Sequence, residues 1–252
     1  EIAVRRGDKF VVRFYSPMET IGGGVVLEPN PKIKRRFQPD EIEELRRKEE
    51  GSSADVIEMH VKSHADTLIT VSELAKLTAL SPEEVEQDVK ELEEQGSIYV
   101  FPMRKDTYVW HSDSAREAEH TLLKALKEYE GKYPYRYGMK KAEVQTTYFK
   151  KIKPNVYDKI LTLLEEKGSI KRIDEFLCTA EYEVRKDKIY DKVSKIMLDT
   201  FEKAKFDFAR YSEITCKDVS QDIMDDILNI LLEENQIVKI NDEMYTLSSY
   251  ME

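Results

Sequence analysis

A basic and aromatic stretch carries the clearest chemical signal in the sequence. Residues 132 to 172 contain eleven lysines and arginines against four acids, a local net charge of +7. The basic residues are Lys132, Arg136, Lys140, Lys141, Lys150, Lys151, Lys153, Lys159, Lys167, Lys171 and Arg172, and tyrosines are interleaved at 133, 135, 137, 148 and 157. Cations neutralise phosphates and aromatic rings stack on bases, so this composition predicts a surface that contacts RNA. All of these basic residues except Lys167 are candidate contacts. A solvated lysine face over a tyrosine-containing core is the alternative.

Other residues that often do chemistry occur here without the partners they need. His60 and His64 are four apart on a predicted helix, but no cysteine or further histidine stands nearby to complete a metal site. Gly22–Gly24 lacks the lysine and the serine or threonine of a P-loop. Cys178 and Cys216 are too few for a disulfide framework, and we interpret them as reduced, half-buried thiols. No nucleophile and base stand at a recognisable spacing, so we expect no catalysis and no cofactor within these residues.

The elements that carry the basic residues repeat three times along the chain. Each copy is a helix that ends at glycine or asparagine and runs into a strand, with shared spacings of four, three, four and two residues. The copies are Val85-Val89-Leu92-Gly96-Ile98, Tyr157-Leu161-Leu164-Gly168-Ile170 and Met224-Leu228-Leu231-Asn235-Ile237. This spacing places three apolar side chains on one helical face and a left-handed residue at the helix end. Tyr157 is therefore expected in the core.

Each repeated helix is preceded by two helices and followed by two strands. The predicted preceding helices are Ala54–Ser63, Val71–Thr78, Ala115–Tyr129, Met139–Thr146, Lys186–Lys203 and Tyr211–Lys217. The predicted strand pairs are Ile98–Phe101 with Thr107–Trp110, Ile170–Ile173 with Phe176–Thr179, and Ile237–Ile240 with Met244–Leu247. This order is that of a winged helix, a variant of the helix-turn-helix. The predicted fold class is mainly α with small β wings (α+β), built from tandem winged-helix modules. An unrelated small α+β repeat is the alternative.

The first 27 residues read instead as two strands around a turn at Tyr15-Ser16-Pro17. An isolated hairpin is marginal in water, so we expect this one to complete a sheet whose other strands lie upstream. A linker rich in proline and basic residues follows, up to Pro39. The predicted organisation is residues 1–37 for the hairpin and linker, and then winged helices over 38–111, 112–183 and 184–252.

Charge assigns the modules different roles. The net charge is -10, but residues 1–37 carry +4 and residues 132–172 carry +7, which leaves -21 for the rest. Because the third helix of such a module usually approaches nucleic acid, the acids of residues 83–94 and 222–234 predict that the first and third modules repel phosphate and act as spacers. No apolar run approaches the ~18 residues of a membrane span and no signal peptide is evident, so we expect a cytoplasmic monomer without membrane contact.

Two stretches resemble a known family. Arg6–Arg13 followed by Glu19–Val26 resembles the end of the third domain of elongation factor Tu-like translational GTPases. The longer run Phe14–Pro29, which passes directly into winged-helix modules, looks like the selenocysteine-specific, SelB-type elongation factors. Tyr133–Val144 is similar to the stretch that opens the second winged-helix unit of that family. The resemblance implies that residues 1–37 are the last strands of a β-barrel domain III and its linker.

The resemblance implies a cytoplasmic factor that binds GTP, with Mg²⁺, and selenocysteyl-tRNA through domains that precede this chain. Its winged-helix tail binds a hairpin (SECIS) in the messenger RNA, so that the ribosome reads UGA as selenocysteine. Bacterial members usually carry four winged-helix units and three fit here, so we expect a fragment that is not itself an enzyme and lacks the main hairpin-binding unit. By the family's pattern the loop Phe14–Thr20 lies near the tRNA T-stem, which makes Arg13 and Glu19 candidate contacts. A winged-helix transcriptional regulator or a protein-interaction scaffold is the alternative.

Overall fold

The computed structural model describes Val4 and residues 7–27, 39–204, 209–241 and 243–251. The predicted linker before Pro39 lies outside these ranges. The helices are α1 (Pro39–Glu50), α2 (Ser53–Ser63), α3 (Val71–Thr78), α4 (Pro82–Glu94), α5 (Ser112–Lys132), α6 (Lys141–Tyr148), α7 (Pro154–Glu166), α8 (Lys188–Ala204) and α9 (Gln221–Glu233). The strands are β1 (Lys9–Arg13), β2 (Thr20–Val25), β3 (Ile69–Thr70), β4 (Ile98–Pro102), β5 (Thr107–His111), β6 (Met139–Lys140), β7 (Ile170–Ile173), β8 (Phe176–Thr179), β9 (Ala209–Arg210), β10 (Ile237–Lys239) and β11 (Met244–Leu247). No helix in the described ranges is long and apolar enough to cross a membrane.

The chain divides into two compact units. Unit 1 comprises Glu1–His120 and Phe149–Ile160, and unit 2 comprises Thr121–Tyr148 and Leu161–Glu252. Within unit 1, β1 and β2 form the predicted antiparallel hairpin, which pairs Lys9 with Val25. Every residue of both strands is exposed, including the apolar side chains.

The helical part of unit 1 packs on a three-stranded antiparallel sheet of order β3-β5-β4. Its core takes apolar side chains from all of these elements, and Ile57 of α2, Leu74 of α3, Val85 of α4 and Val109 of β5 are fully buried in it. Three helices and a small sheet thus share one core, as the winged-helix pattern predicts.

The helices α2, α3 and α4 all begin at capping boxes. In each, a hydroxyl accepts a hydrogen bond from the backbone N–H three residues on, and the carboxylate of that residue accepts one from the backbone N–H of the cap. The three pairs are Ser52 with Asp55, Thr70 with Glu73, and Ser81 with Glu84. These helix starts are therefore specified by residues three apart in the sequence.

Unit 2 holds two further three-stranded sheets, of order β6-β8-β7 and β10-β11-β9. One of its apolar clusters joins Met197 and Phe201 of α8 with Ile227 and Leu231 of α9. The same cluster includes Tyr135, which precedes β6. Residues assigned by sequence to the second and third modules therefore share a core.

The repeated helix ends match the expectation. Gly96, Gly168 and Asn235 have positive φ angles of 74°, 71° and 53°. Each lies in the left-handed region, which lets the chain leave the helix and enter the following strand.

Two expectations about local structure need correction. Each sheet of the helical modules has a third strand of two residues (β3, β6 and β9), which the sequence pattern did not predict because two residues are too few to show alternation. The short helix predicted over Tyr211–Lys217 is wrong, since only a 3-10 turn forms at Tyr211–Glu213. Ile214 leaves that turn in an extended conformation (φ -86°, ψ 118°), which buries its side chain in the core of unit 2.

Candidate nucleic-acid interface

Three lysines of the basic stretch are concentrated at the turn between α6 and α7. Lys150, Lys151 and Lys153 are exposed, whereas Phe149 and Ile152 are buried between them. The Phe149 ring packs against the ring of Tyr157, with 5.3 Å between the ring centroids, and Tyr157 is itself buried as predicted. Burial of the apolar residues therefore turns the three ammonium groups toward solvent.

Two of these lysines contact residues of the first predicted module. The Nζ of Lys151 lies 2.7 Å from Oδ2 of Asp66, and both side chains are more than 60% exposed. The Nζ of Lys153 donates a hydrogen bond of 2.7 Å to the hydroxyl of Tyr108 and lies 5.3 Å from its ring centroid. That hydrogen bond raises the pKa of Lys153, so its side chain stays cationic at neutral pH.

A groove of about 470 Å³ lies beside these lysines in unit 1. It is lined by His64, Thr67, Leu68, Ile69, Glu73, Lys76, Leu77, Tyr108, Lys151 and Lys153. We call it the lysine groove. Lys76, from the last turn of α3, and Tyr108, from β5, are residues that the sequence reasoning missed, because nothing local marks them as neighbours of the basic stretch.

Two other basic residues of the stretch are paired with acids of unit 2, and a third lies over an aromatic ring. Lys140 lies 3.5 Å from Glu175. The Nε of Arg172 donates a 2.7 Å hydrogen bond to Glu165, and this contact lowers the pKa of the Glu165 carboxyl. The Nζ of Lys132 lies 5.0 Å from the ring centroid of Tyr133. The two ion pairs reduce the charge that the stretch presents to a ligand.

Arg136 is held by the most buried ion pair of the stretch. Its Nε donates a 2.7 Å hydrogen bond to Oδ1 of Asp226 in α9, and its Nη1 donates one of 3.2 Å to the hydroxyl of Tyr129. The guanidinium carbon also lies 4.1 Å from the ring centroid of Tyr133. Burial raises the pKa of Asp226, and the hydrogen bond and charge of Arg136 oppose that rise. The contact with Arg136 therefore offsets the cost of burying the negative charge of Asp226.

The interleaved tyrosines lie mostly inside the structure. Tyr135 and Tyr157 are buried, and the hydroxyl of Tyr135 donates to Asp187 at 3.0 Å. Tyr133 and Tyr137 are half-buried. Among the five, Tyr148 alone is exposed, at 37%. The aromatic part of the predicted surface is thus one tyrosine rather than five.

The remaining candidates are spread over several elements. Lys159 is exposed on α7, Lys171 is half-buried in β7 and Lys141 begins α6. Arg13, at the end of β1, and Glu19, in the turn after it, are both exposed. The structure therefore brings Lys151 and Lys153 together with new partners. The β1–β2 hairpin holds Arg13 near Glu19, because Arg13 pairs with Thr20 and the backbone N–H of Phe14 donates a 2.8 Å hydrogen bond to the carbonyl of Glu19.

The acidic helices differ in what they expose. On α4 the acids at positions 83, 84, 86, 91, 93 and 94 are all exposed. On α9, Asp226 is buried against Arg136 and Asp225 accepts a 2.5 Å hydrogen bond from the hydroxyl of Tyr211. The first module thus presents an acidic face, whereas part of the acidity of the third serves internal contacts.

Known proteins resemble this chain in sequence and in fold. The family described as "Elongation factor SelB, winged helix" matches residues 123–177. A curated relative, the selenocysteine-specific elongation factor of Desulfomicrobium baculatum, is 22% identical over 98% of this chain and 39% of its own length. The solved structure of a bacterial selenocysteine-specific elongation factor, EF-Sec, is 16% identical over 98% of this chain and 36% of its own, with a TM-score of 0.50. The chain thus spans about two fifths of these relatives, and the family resemblance and the α+β winged-helix fold are both confirmed.

Proposed function

We infer that the chain is the C-terminal part of a SelB-type selenocysteine-specific elongation factor and serves as its RNA-binding arm. The observation that carries the proposal is the order of parts, an exposed hairpin followed by winged-helix modules, aligned over 98% of the chain with such a factor. In the whole protein, preceding domains bind GTP with Mg²⁺ and selenocysteyl-tRNA. The arm engages an mRNA hairpin in the cytoplasm, so that the ribosome reads UGA as selenocysteine.

The exposed β1–β2 hairpin of the protein supports the proposal that a barrel domain precedes it. Phe10 and Val12 are 47% and 45% exposed, and Ile21 and Val25 are 55% and 48% exposed, although all four are strand residues. Strands of this kind are stable only when further strands or a second layer cover them. Arg13 and Glu19 beside the turn are the proposed tRNA contacts.

The acidic face of α4 supports the role of a spacer. Exposed carboxylates repel phosphate, so RNA cannot lie along this helix as DNA lies along the recognition helix of a regulator. Because this face repels phosphate, it lowers the affinity of the arm for RNAs other than its target. The same face argues against the rival function of a winged-helix transcriptional regulator.

A UGA-reading assay with the full-length gene tests the proposal. The reporter carries an in-frame UGA followed by the hairpin of a selenoprotein mRNA from the same organism, and a reporter with a UGU cysteine codon is the matched control. Removal of the segment that encodes residues 39–252 should abolish ⁷⁵Se incorporation and full-length product from the UGA reporter alone. Unchanged incorporation, or a ligand-sensing domain rather than a GTP-binding one upstream of Glu1, would refute it.

A further inference from the structure

We propose that the lysine groove of unit 1 is a sequence-independent binding site for the RNA sugar-phosphate backbone. The proposal rests on the proposed function and deepens it, because it assigns RNA contact to a site built from α3, β5 and the turn before α7. Three lysines face the groove and one carboxylate, Glu73, stands among its lining residues. That imbalance suits a ligand with a row of negative charges.

The carboxylates near the groove are already engaged and compete weakly with phosphate. Glu73 accepts a 3.0 Å hydrogen bond from the backbone N–H of Thr70, where it caps the start of α3. Asp66 is paired with Lys151, but a pair this exposed contributes only ~0–1 kcal/mol. A phosphate can therefore replace Asp66 on Lys151 at little cost.

Tyr108 positions Lys153 for the same ligand. The ammonium group has three N–H donors, and one of them is directed at the hydroxyl of Tyr108. The acceptor is a hydroxyl rather than a carboxylate, so the full positive charge and two donors remain for phosphate oxygens. The hydrogen bond also fixes a flexible side chain in advance of binding, which lowers the entropy lost when RNA binds.

The apolar residues that line the groove strengthen the attraction between its lysines and phosphate. The polar lining residues determine whether the site can distinguish one base sequence from another. Leu68 and Ile69 line the groove and are buried, and a low-dielectric wall concentrates the field of nearby cations. The lining residues include no arginine, asparagine or glutamine, the side chains that make paired hydrogen bonds to base edges. Lysines that contact phosphates position a ligand without reading its sequence.

A salt titration of the full 252-residue chain tests the groove. The probe is a fluorescein-labelled RNA hairpin of scrambled sequence, and the variant is Lys76→Gln/Lys151→Gln/Lys153→Gln. The control, Lys124→Gln/Lys127→Gln/Lys195→Gln, removes the same charge from exposed positions on α5 and α8. Three lost phosphate contacts should reduce the slope of log Kobs against log salt by about 2 to 3. Between about 50 and 200 mM salt, the native affinity should therefore fall roughly 16- to 64-fold more than that of the groove variant.

Each outcome bears on the groove separately from UGA reading. A control variant with the native slope and a groove variant with the reduced slope support the proposal. Equal slopes for all three proteins, an equal reduction in the control, or equally effective competition by polyglutamate would overturn it even if the UGA reporter works. Circular dichroism checks folding, and if the triple variant is unfolded, Lys76→Gln and Lys153→Gln alone should each reduce the slope by about 0.7 to 0.9.

Discussion

Replacing Arg136 with methionine should destabilise unit 2, because the change leaves Asp226 buried without its cation. The Asp226 side chain is only 9% exposed, and the Arg136 side chain is 37% exposed. Breaking a fully buried pair from one side costs about 3–5 kcal/mol. Partial solvation of the arginine lowers that figure, so we expect a loss of about 2 kcal/mol in the free energy of unfolding. Methionine keeps most of the aliphatic packing, which isolates the charge effect.

The loss should depend on pH in a defined direction. Burial holds the pKa of Asp226 above its ordinary value of 3.8, and removal of Arg136 raises it further. The folded variant then binds a proton at a pH where the unfolded chain has released it, so stability falls as pH rises through this window. The deficit should be complete at neutral pH and shrink as the pH is lowered toward the ordinary aspartate pKa.

Urea unfolding followed by circular dichroism at several pH values measures this effect. Arg172→Met is the matched control, because the side chain of its partner Glu165 is 36% exposed, against 9% for Asp226, and loss of this ion pair should cost at most about 1 kcal/mol. Adding Asp226→Leu to Arg136→Met should recover most of the stability, since no charge is then buried. Equal losses in the two arginine variants, or a deficit that persists unchanged at acid pH, would refute the reasoning.

Three further changes have clear expected results. Gly138→Ala should cost about 3 kcal/mol in urea unfolding, because φ is 141° and a Cβ would overlap the carbonyl of Leu177; a loss below 1 kcal/mol would contradict this. Ser81→Ala should cost about 1 kcal/mol and Ser81→Asp much less, since the aspartate retains a capping acceptor for α4; equal thermal midpoints for the two variants would count against the cap. In a Cys216→Ser variant, Cys178 should react with a disulfide reagent at pH 8 only when urea is present, because burial raises its pKa to about 11; rapid labelling of the folded protein would show that the thiol is accessible.

The repeated elements could be predicted from sequence because their signals are local. Helices α3, α4 and α7 lie where apolar spacing places them, and Gly96, Gly168 and Asn235 take the left-handed conformation that their residue types favour. The Tyr211–Lys217 segment failed because tertiary packing of Ile214 outweighed its local helical pattern.

The candidate site was predictable only in part. A local charge count finds Lys151 and Lys153, but it cannot show that Arg136 is paired with an acid 90 residues away. Nor can it find Lys76 and Tyr108, which come from earlier elements and reach the basic turn only in the folded unit. The ion pair of Arg136 and the lining of the lysine groove both depend on tertiary contacts, which a local charge count does not contain.

The capping boxes of unit 1 have a consequence for the order in which the nascent chain acquires structure. Each box needs only residues three apart, so the starting points of α2, α3 and α4 are specified as soon as their own sequence leaves the ribosome. Helix α9 has no side-chain cap, because Ser220 before its first residue makes no capping hydrogen bond, and it depends on packing against α8. We therefore expect the chain to fold vectorially, from its first module toward its last.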